Sequence, residues 1–337
     1  MPAVSVIIVN FNGAHLLADC LGSLSRQVYR DFETIVVDNG SRDGSVAAAR
    51  ALMPAARVIA LPENVGFAAG NNVGIRAAAG KYIVLLNNDT WAEPTFLGEL
   101  VAAAEADETV GMVAPKILNY FDRRIIDSVG GLLLSRDGIG QGRGRGEVDE
   151  GQYDDLREVL LPSGCAALYR QAMLAETGLF AEGFFAYCED TDLGLRGVWA
   201  GWKAVAAPKA VVLHKYSATT GGAYSPRKLF LVERNHYYVA LRNSPPALLA
   251  WVPLWTLYRL LLMVVAVLRG KGKGQAAASG RAGALAEAFL KAHAEALRHA
   301  GEEYRRGRVF LRRLTNRDFA AILRRHRLPL ATMVFNA

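Results

Sequence analysis

The sequence predicts an α/β protein built on a mostly parallel sheet covered on both faces. Three observations carry this. Short runs that are apolar on both faces, at 4–9, 32–37 and 81–86, alternate with stretches of helical spacing over the first 120 residues. Each run stops abruptly at a cluster of Asn, Asp, Gly or Ser. The composition, 52% apolar and 21% charged, gives the 337-residue chain enough apolar surface to bury a large core.

The elements follow in order. Residues 4–9 are rich in β-branched side chains and end at the turn cluster Asn10-Phe11-Asn12-Gly13; over 15–27, Leu16, Leu17, Cys20, Leu21 and Leu24 then recur at helical spacing. Residues 32–37 form a second strand, closed by Asp38-Asn39-Gly40-Ser41, and a helix is expected over 45–53. A third strand is expected over 58–61, a tight Gly- and Asn-rich loop over 64–72, and a helix over 71–79. The fourth strand, 81–86, stops at Asn87-Asn88-Asp89. In such sheets ligands sit beyond the carboxyl ends of the strands, and the polar clusters after strands one, two and four lie there. The segment 136–158, with glycines at 138, 140, 142, 144 and 146, reads as a mobile loop over the site.

Charge divides the chain. Residues 1–240 carry 22 Lys and Arg against 27 Asp and Glu, whereas residues 241–337 carry 17 against 5. The net +7 therefore belongs to a C-terminal tail. The three cysteines, Cys20, Cys165 and Cys188, are widely spaced and odd in number; they read as small buried hydrophobes of a reducing compartment. With no signal-peptide pattern before the first strand, the expected location is cytoplasmic.

Four clusters could carry chemistry. Asp38, after a buried strand, can accept the N–H of a pyrimidine ring, and the small residues around it let a ligand approach the backbone. Asp89 suits a hard divalent cation, which prefers one or two carboxylates completed by phosphates and water. Glu189-Asp190-Thr191-Asp192 sets three acids behind the apolar Phe184-Phe185-Ala186-Tyr187-Cys188, surroundings that raise a carboxyl toward general-base duty. His214 closes the apolar run 210–213. Taken alone, each also reads as a helix cap, an acidic turn or a core residue.

Together, Val6-Ile7-Ile8-Val9-Asn10-Phe11-Asn12, Val36-Val37-Asp38-Asn39-Gly40-Ser41, Asn64-Val65-Gly66-Phe67, Leu85-Leu86-Asn87-Asn88-Asp89 and Glu189-Asp190-Thr191-Asp192-Leu193 resemble, in order and spacing, the family 2 glycosyltransferases. The likeness covers about residues 3–240 and is nearest to the rhamnosyltransferase-like branch of bacterial cell-surface polysaccharide synthesis. It implies an inverting enzyme of Rossmann-like GT-A fold. Its catalytic domain would be 1–240, with a nucleotide-sugar half (1–120) and an acceptor half (121–240). The resemblance implies that Asp38 binds the donor base with the Asn10–Asn12 loop, and that Asn39, Gly66, Phe67, Asn71 and Asn88 complete the donor site. Asp89 and His214 would hold Mg²⁺ or Mn²⁺, with Asn87 standing where the family places the first acid of its D-x-D element. Asp190 would be the general base, and Gly164, Cys165, Glu189 and Asp192 would line the acceptor side. The implied donor is a dTDP- or UDP-sugar, dTDP-rhamnose first, and the acceptor a glycan or a lipid-linked glycan.

The tail, 241–337, reads as a helical membrane-associating or oligomerising extension. Residues 248–268 form an apolar stretch long enough to span a bilayer, followed at once by Arg269, Lys271 and Lys273 and a Gly/Ala/Ser linker over 272–283. Arg259 near its middle would cost a spanning helix about 2.5–3.5 kcal/mol. An interfacial helix on the anionic inner face of the cell membrane accommodates it more easily, with a buried core helix or a homo-oligomer contact as the alternative. Two rival readings are weaker. Nucleotidyltransferases usually place a cation in the loop after strand one, which Asn10-Phe11-Asn12-Gly13 lacks. A non-catalytic carbohydrate- or nucleic-acid-binding protein leaves the Asp38, Asp89 and Asp190 series unused, and no aromatic-interleaved basic pattern points to nucleic acid.

Overall fold

The computed structural model describes residues 1–215, 225–269 and 282–335. Lys271, Lys273 and nearly all of the linker expected over 272–283 lie outside the described residues. In chain order the elements are β1 (Val4–Asn10), α1 (Ala14–Ser25), β2 (Phe32–Asp38), α2 (Ser45–Leu52), β3 (Arg57–Ala60), α3 (Gly66–Ala77), β4 (Tyr82–Leu86), β5 (Thr90–Ala92), α4 (Phe96–Glu105), β6 (Val110–Asn119), β7 (Ile126–Val129), β8 (Leu132–Leu134), β9 (Gly140–Gly142), β10 (Glu158–Val159), β11 (Ala166–Arg170), α5 (Gln171–Thr177), a 3₁₀ turn (Glu182–Phe184), α6 (Glu189–Trp199), β12 (Lys203–His214), α7 (Pro226–Asn243), α8 (Pro246–Leu249), α9 (Val252–Leu268), α10 (Ala282–Arg308), α11 (Asn316–Arg325) and α12 (Leu330–Phe335).

The main sheet runs β10-β12-β6-β11-β4-β1-β2-β3. Its first half, β4-β1-β2-β3, is wholly parallel, and β6 and β12 are parallel to each other. Antiparallel β11 joins the two halves. Strand alternation explains why the runs are apolar on both faces. Val6, Ile8, Val84 and Leu86 pack on one side with Leu17, Leu21, Phe96 and Leu100 of α1 and α4. Ile7, Ile83 and Leu85 belong to the core on the other side, with Ala68 and Ile75 of α3, Leu193 and Trp199 of α6 and Val239 of α7.

Two local expectations change. Gly66–Asn72 is not a loop: α3 starts at Gly66, five residues early, because the Asn39 side chain accepts from Val65 N–H (3.0 Å) and Asn64 Oδ1 accepts from Gly66 N–H (2.9 Å). Nor is 136–158 a loose loop. It contains β9, which pairs with β8, and the start of β10, which pairs with β12. Lys116, buried in β6, fastens it through Asp149 (2.8 Å) and Asp154 (2.7 Å).

The tail folds back on the core. α7 crosses residue 240, and α10 lies along it, joined by Arg242–Glu303 (2.9 Å). Further on, Phe319 stacks on Trp199 with ring centroids 3.8 Å apart, and Arg308 donates to the carbonyls of Leu241 and Ser244 at the end of α7. Part of the basic character of the tail is thus spent on holding helix ends.

Candidate active site

Strand direction assembles the site. Asn10 and Asp38 are register partners at the carboxyl ends of β1 and β2, and Asn87–Asp89 follows the same end of β4. β11 runs the other way, with Ala166 opposite Leu86, so the residues that precede it, Gly164 and Cys165, come to that edge too. At the far end of β12, His214 pairs with Thr90, the residue after Asp89. Residues separated by up to 204 positions therefore share one sheet edge.

Hydrogen bonds tie that edge together. Asn10, fully buried, donates to Asp38 Oδ1 (3.3 Å) and accepts from Asn88 Nδ2 (2.7 Å). Asp38 is 2% exposed, and its second oxygen accepts Ser41 N–H (3.0 Å). Asn12, at φ 48°, accepts Arg42 N–H (2.8 Å), which folds the first loop against the second. Phe67 is half-buried in the first turn of α3. Two residues expected to touch the donor are used otherwise. Asn39 spends its amide on Asn64, Val65 and Gly66. Asn71, 1% exposed, donates to Phe67 O in its own helix (2.9 Å). Both build the walls of the site. Gly66 (φ 89°) is needed there for contact: a Cβ would lie 2.6 Å from the Phe185 carbonyl oxygen.

Asp89 and His214 face each other, Oδ1 to Nε2 at 3.4 Å, both nearly buried. The other ring nitrogen, Nδ1, lies 2.7 Å from Asp127 Oδ2 on β7. Burial opposes protonation of His214, but Cys165, Asp127 and Asp89 together raise its pKa well above the ordinary histidine value. Two donors on adjacent vertices of an octahedral cation at about 2.1 Å stand about 3 Å apart, so this pair fits two neighbouring positions of a divalent ion. No group of three or more His, Cys, Asp or Glu among the described residues is arranged for a metal. The protein offers a partial shell that substrate oxygens and water would have to complete, in keeping with Asn at 87 in place of an acid.

Asp190 sits in the first turn of α6, behind a strained turn. Phe185, Tyr187 and Cys188 all adopt positive φ (64°, 71° and 66°). Its Oδ2 accepts Gly164 N–H (2.7 Å), and its Oδ1 accepts the N–H (2.6 Å) and hydroxyl (3.2 Å) of Thr191. Burial raises the Asp190 pKa while these donors hold it back. In Glu189, burial and the Asp190 charge push the carboxyl well above the usual range, and its Oε2 has no hydrogen-bond partner among the described residues. Burial raises both carboxyls, and the two neighbours differ in that Asp190 alone has donors that favour its charged form.

Asp192 is not on the acceptor side. It is fully buried and bound by Arg196 (2.9 Å), Arg242 (2.8 Å) and Asn243 (2.9 Å). Two residues along a helix turn about 200°, so Asp190 and Asp192 face opposite ways. Conversely, Asp127 carries no motif in the sequence and reaches His214 from 87 positions away. Lys228, near the start of α7, is a second such residue: burial lowers its pKa, Arg145 adds to this, and Asp127 opposes it. The three cysteines are free.

Comparisons with known proteins bear on the family and the fold. The chain is 29% identical over 241 residues to N-acetylglucosaminyl-diphospho-decaprenol L-rhamnosyltransferase of Mycobacterium tuberculosis, covering 64% of this chain and 77% of that one. It is 36% identical over 110 residues to the putative glycosyltransferase EpsH of Bacillus subtilis, a match that spans 32% of each protein. Among solved structures, the mannosyltransferase PcManGT from Pyrobaculum calidifontis, in complex with GDP-Man and Mn²⁺, aligns at TM-score 0.53 and 20% identity over 90% of this chain and 87% of that one. TarS 1-349 of S. aureus, in complex with UDP, aligns at 0.53 and 19% over 90% and 91%. These two speak for the GT-A type of fold alone. Residues 5–178, just over half of the chain, match the pattern of Glycosyl transferase family 2, and the chain belongs to that family.

Proposed function

We propose that the protein is an inverting glycosyltransferase that moves a sugar, L-rhamnose from dTDP-rhamnose first, to a hydroxyl of a lipid-linked glycan at the inner face of the cell membrane. The observation that carries the reading is the hydrogen-bonded edge running from Asp38 through Asn10 and Asn88, beside Asp89 and His214, to Gly164 and Asp190. The relative whose name specifies an L-rhamnosyl transfer to a diphospho-decaprenol acceptor supports the choice of donor and acceptor.

In this mechanism Asp38 accepts the ring N–H of the pyrimidine, and the small residues around it admit the base. Asp89 and His214 would hold Mg²⁺ or Mn²⁺, which when bound neutralises charge on the diphosphate leaving group. Asp190 takes the proton from the acceptor hydroxyl as that oxygen attacks the anomeric carbon. The bond to the diphosphate breaks on the opposite face, which inverts the configuration. Gly164 N–H and Thr191 keep the carboxylate aimed and favour its charged form against the effect of burial.

The test is Asp190→Asn. It should retain nucleoside diphosphate binding, read as a Mn²⁺-dependent thermal shift, and lose roughly 10²–10⁴ in turnover. Turnover at the wild-type level would remove Asp190 from the role of base. The same screen over dTDP, UDP and GDP names the donor base.

A further inference from the structure

The helix α9 is built the wrong way round for a soluble surface. Its single charge, Arg259, points inward: Nε donates to Asp137 Oδ2 (2.6 Å), and the two terminal nitrogens donate to Glu233 (2.8 Å each), all three side chains being at most 4% exposed. Outward lies a stripe of Trp251, Leu254, Leu257, Leu261, Val264 and Leu268, each between 54% and 80% exposed. Surface helices of soluble proteins put polar residues there. A stripe of this length calls for an apolar partner.

Charge identifies the partner. Beyond Arg259, whose charge is already met by Asp137 and Glu233, there is no Asp or Glu from residue 260 to residue 286, while Lys or Arg occurs at 269, 271, 273 and 281. Arg269 ends the helix in solvent. An apolar stripe with an aromatic at its start, followed in sequence by cations and no nearby acid, is complementary to an anionic bilayer surface. Pro246–Leu268 is long and apolar enough to cross a membrane, with mean hydropathy 1.9 over an 18-residue window. Crossing would nevertheless strip Arg259 from both carboxylates, and the inner face is already packed on Leu328, Leu330 and Met333 of the tail.

We infer that α9 lies in the plane of an anionic membrane, its outer stripe in the lipid and Arg259 locking its inner face to the catalytic domain. This deepens the reading of a lipid-linked acceptor and rests on it for one point, why the enzyme would stay at the bilayer. Asp137, the partner of Arg259, lies in the turn between β8 and β9. A Cβ on Gly140 of β9 would stand 3.2 Å from Thr191 Oγ1, next to Asp190. The docked helix is thereby fastened to the hairpin beside the proposed base.

Full-length protein is tested by flotation with vesicles of phosphatidylglycerol and phosphatidylcholine, against phosphatidylcholine alone. Flotation is expected with the anionic vesicles, weaker at high salt, and Leu257→Asp with Leu261→Asp should reduce partition about tenfold or more. Both positions face solvent, so the variant should keep its melting temperature and its Mn²⁺-dependent nucleoside diphosphate binding. That control separates failure of docking from failure of the transferase reading. Cysteines placed as Ala247→Cys and Arg269→Cys should both react with a membrane-impermeant maleimide added outside the vesicles. Protection of one end would mean a spanning helix and overturn the inference. So would protein that stays with the supernatant, or a dimer in solution that Leu261→Asp breaks.

Discussion

At the scale of single residues, the site depends on groups that orient others. Asp127 accepts from His214 Nδ1 at 2.7 Å and so turns Nε2 toward Asp89. Carboxylate partners of this kind fix the ring and its tautomer at metal sites. Asp127→Ala should weaken Mn²⁺ binding, titrated calorimetrically in the presence of nucleoside diphosphate, by roughly 10–100-fold, while Asp127→Asn, which can still accept the bond, should lose less. Equal affinity in the Ala variant and the wild type would leave His214 oriented by something else. The sequence could flag Asp38, Asp89, Asp190 and His214 because each stands at the end of an apolar run. It could not flag Asp127, since Ile126-Asp127-Ser128-Val129 is a four-residue strand with neither an apolar run nor an alternation to mark it. Asp192 misled for the opposite reason: it is close to Asp190 in sequence, yet the helical period sets it on the far side.

Among the elements, the buried strands were legible and the segments between them were not. Apolarity on both faces of β1, β2 and β4 follows from burial on both sides and survives in the sequence as the runs 6–9, 35–37 and 82–86. The order in 136–158 comes instead from distant partners, Lys116 and Arg259, which local composition does not reveal. The start of α3 and the strained turn before α6 form another such pair. Ala68 N–H donates to Phe185 O (3.1 Å), and Gly66 leaves room for Phe185 only because it has no side chain. In Gly66→Ala the new methyl meets backbone at 2.6 Å and sits at φ 89°. The expected loss is about 1–3 kcal/mol in urea unfolding. Because Phe185 leads directly into the Asp190 turn, kcat should fall as well. An unchanged midpoint together with an unchanged kcat would show that the two segments move independently.

Across the whole molecule, α7 is the member that binds catalytic core to tail. Its Glu233 and Arg242 reach Arg259 of α9 and both Asp192 of α6 and Glu303 of α10, and its Tyr237 packs edge-on against His293. His236 lies in the middle of this junction, fully buried. Burial above all, against the pull of Glu233 and with help from Arg259, lowers its pKa from 6.5 to about 4. The unfolded chain therefore takes up a proton below pH 6.5 that the folded chain refuses until about pH 4, so this contribution to stability is complete above pH 6.5 and fades as pH falls across that window. A shift of this size corresponds to roughly 3 kcal/mol. Glu233, held down to about 2 by Arg259 in spite of its burial, adds a second loss between pH 4.5 and 2. Thermal unfolding should accordingly show Tm dropping from pH 6.5 to 4, with α9 and α10 released from α7 as His236 protonates. His236→Phe puts a somewhat larger ring that takes no proton in the same place, so the difference in stability between wild type and variant should shrink or reverse toward pH 4. Parallel curves for the two proteins over that range would mean that the junction opens before His236 titrates, and that acid attacks the tail elsewhere.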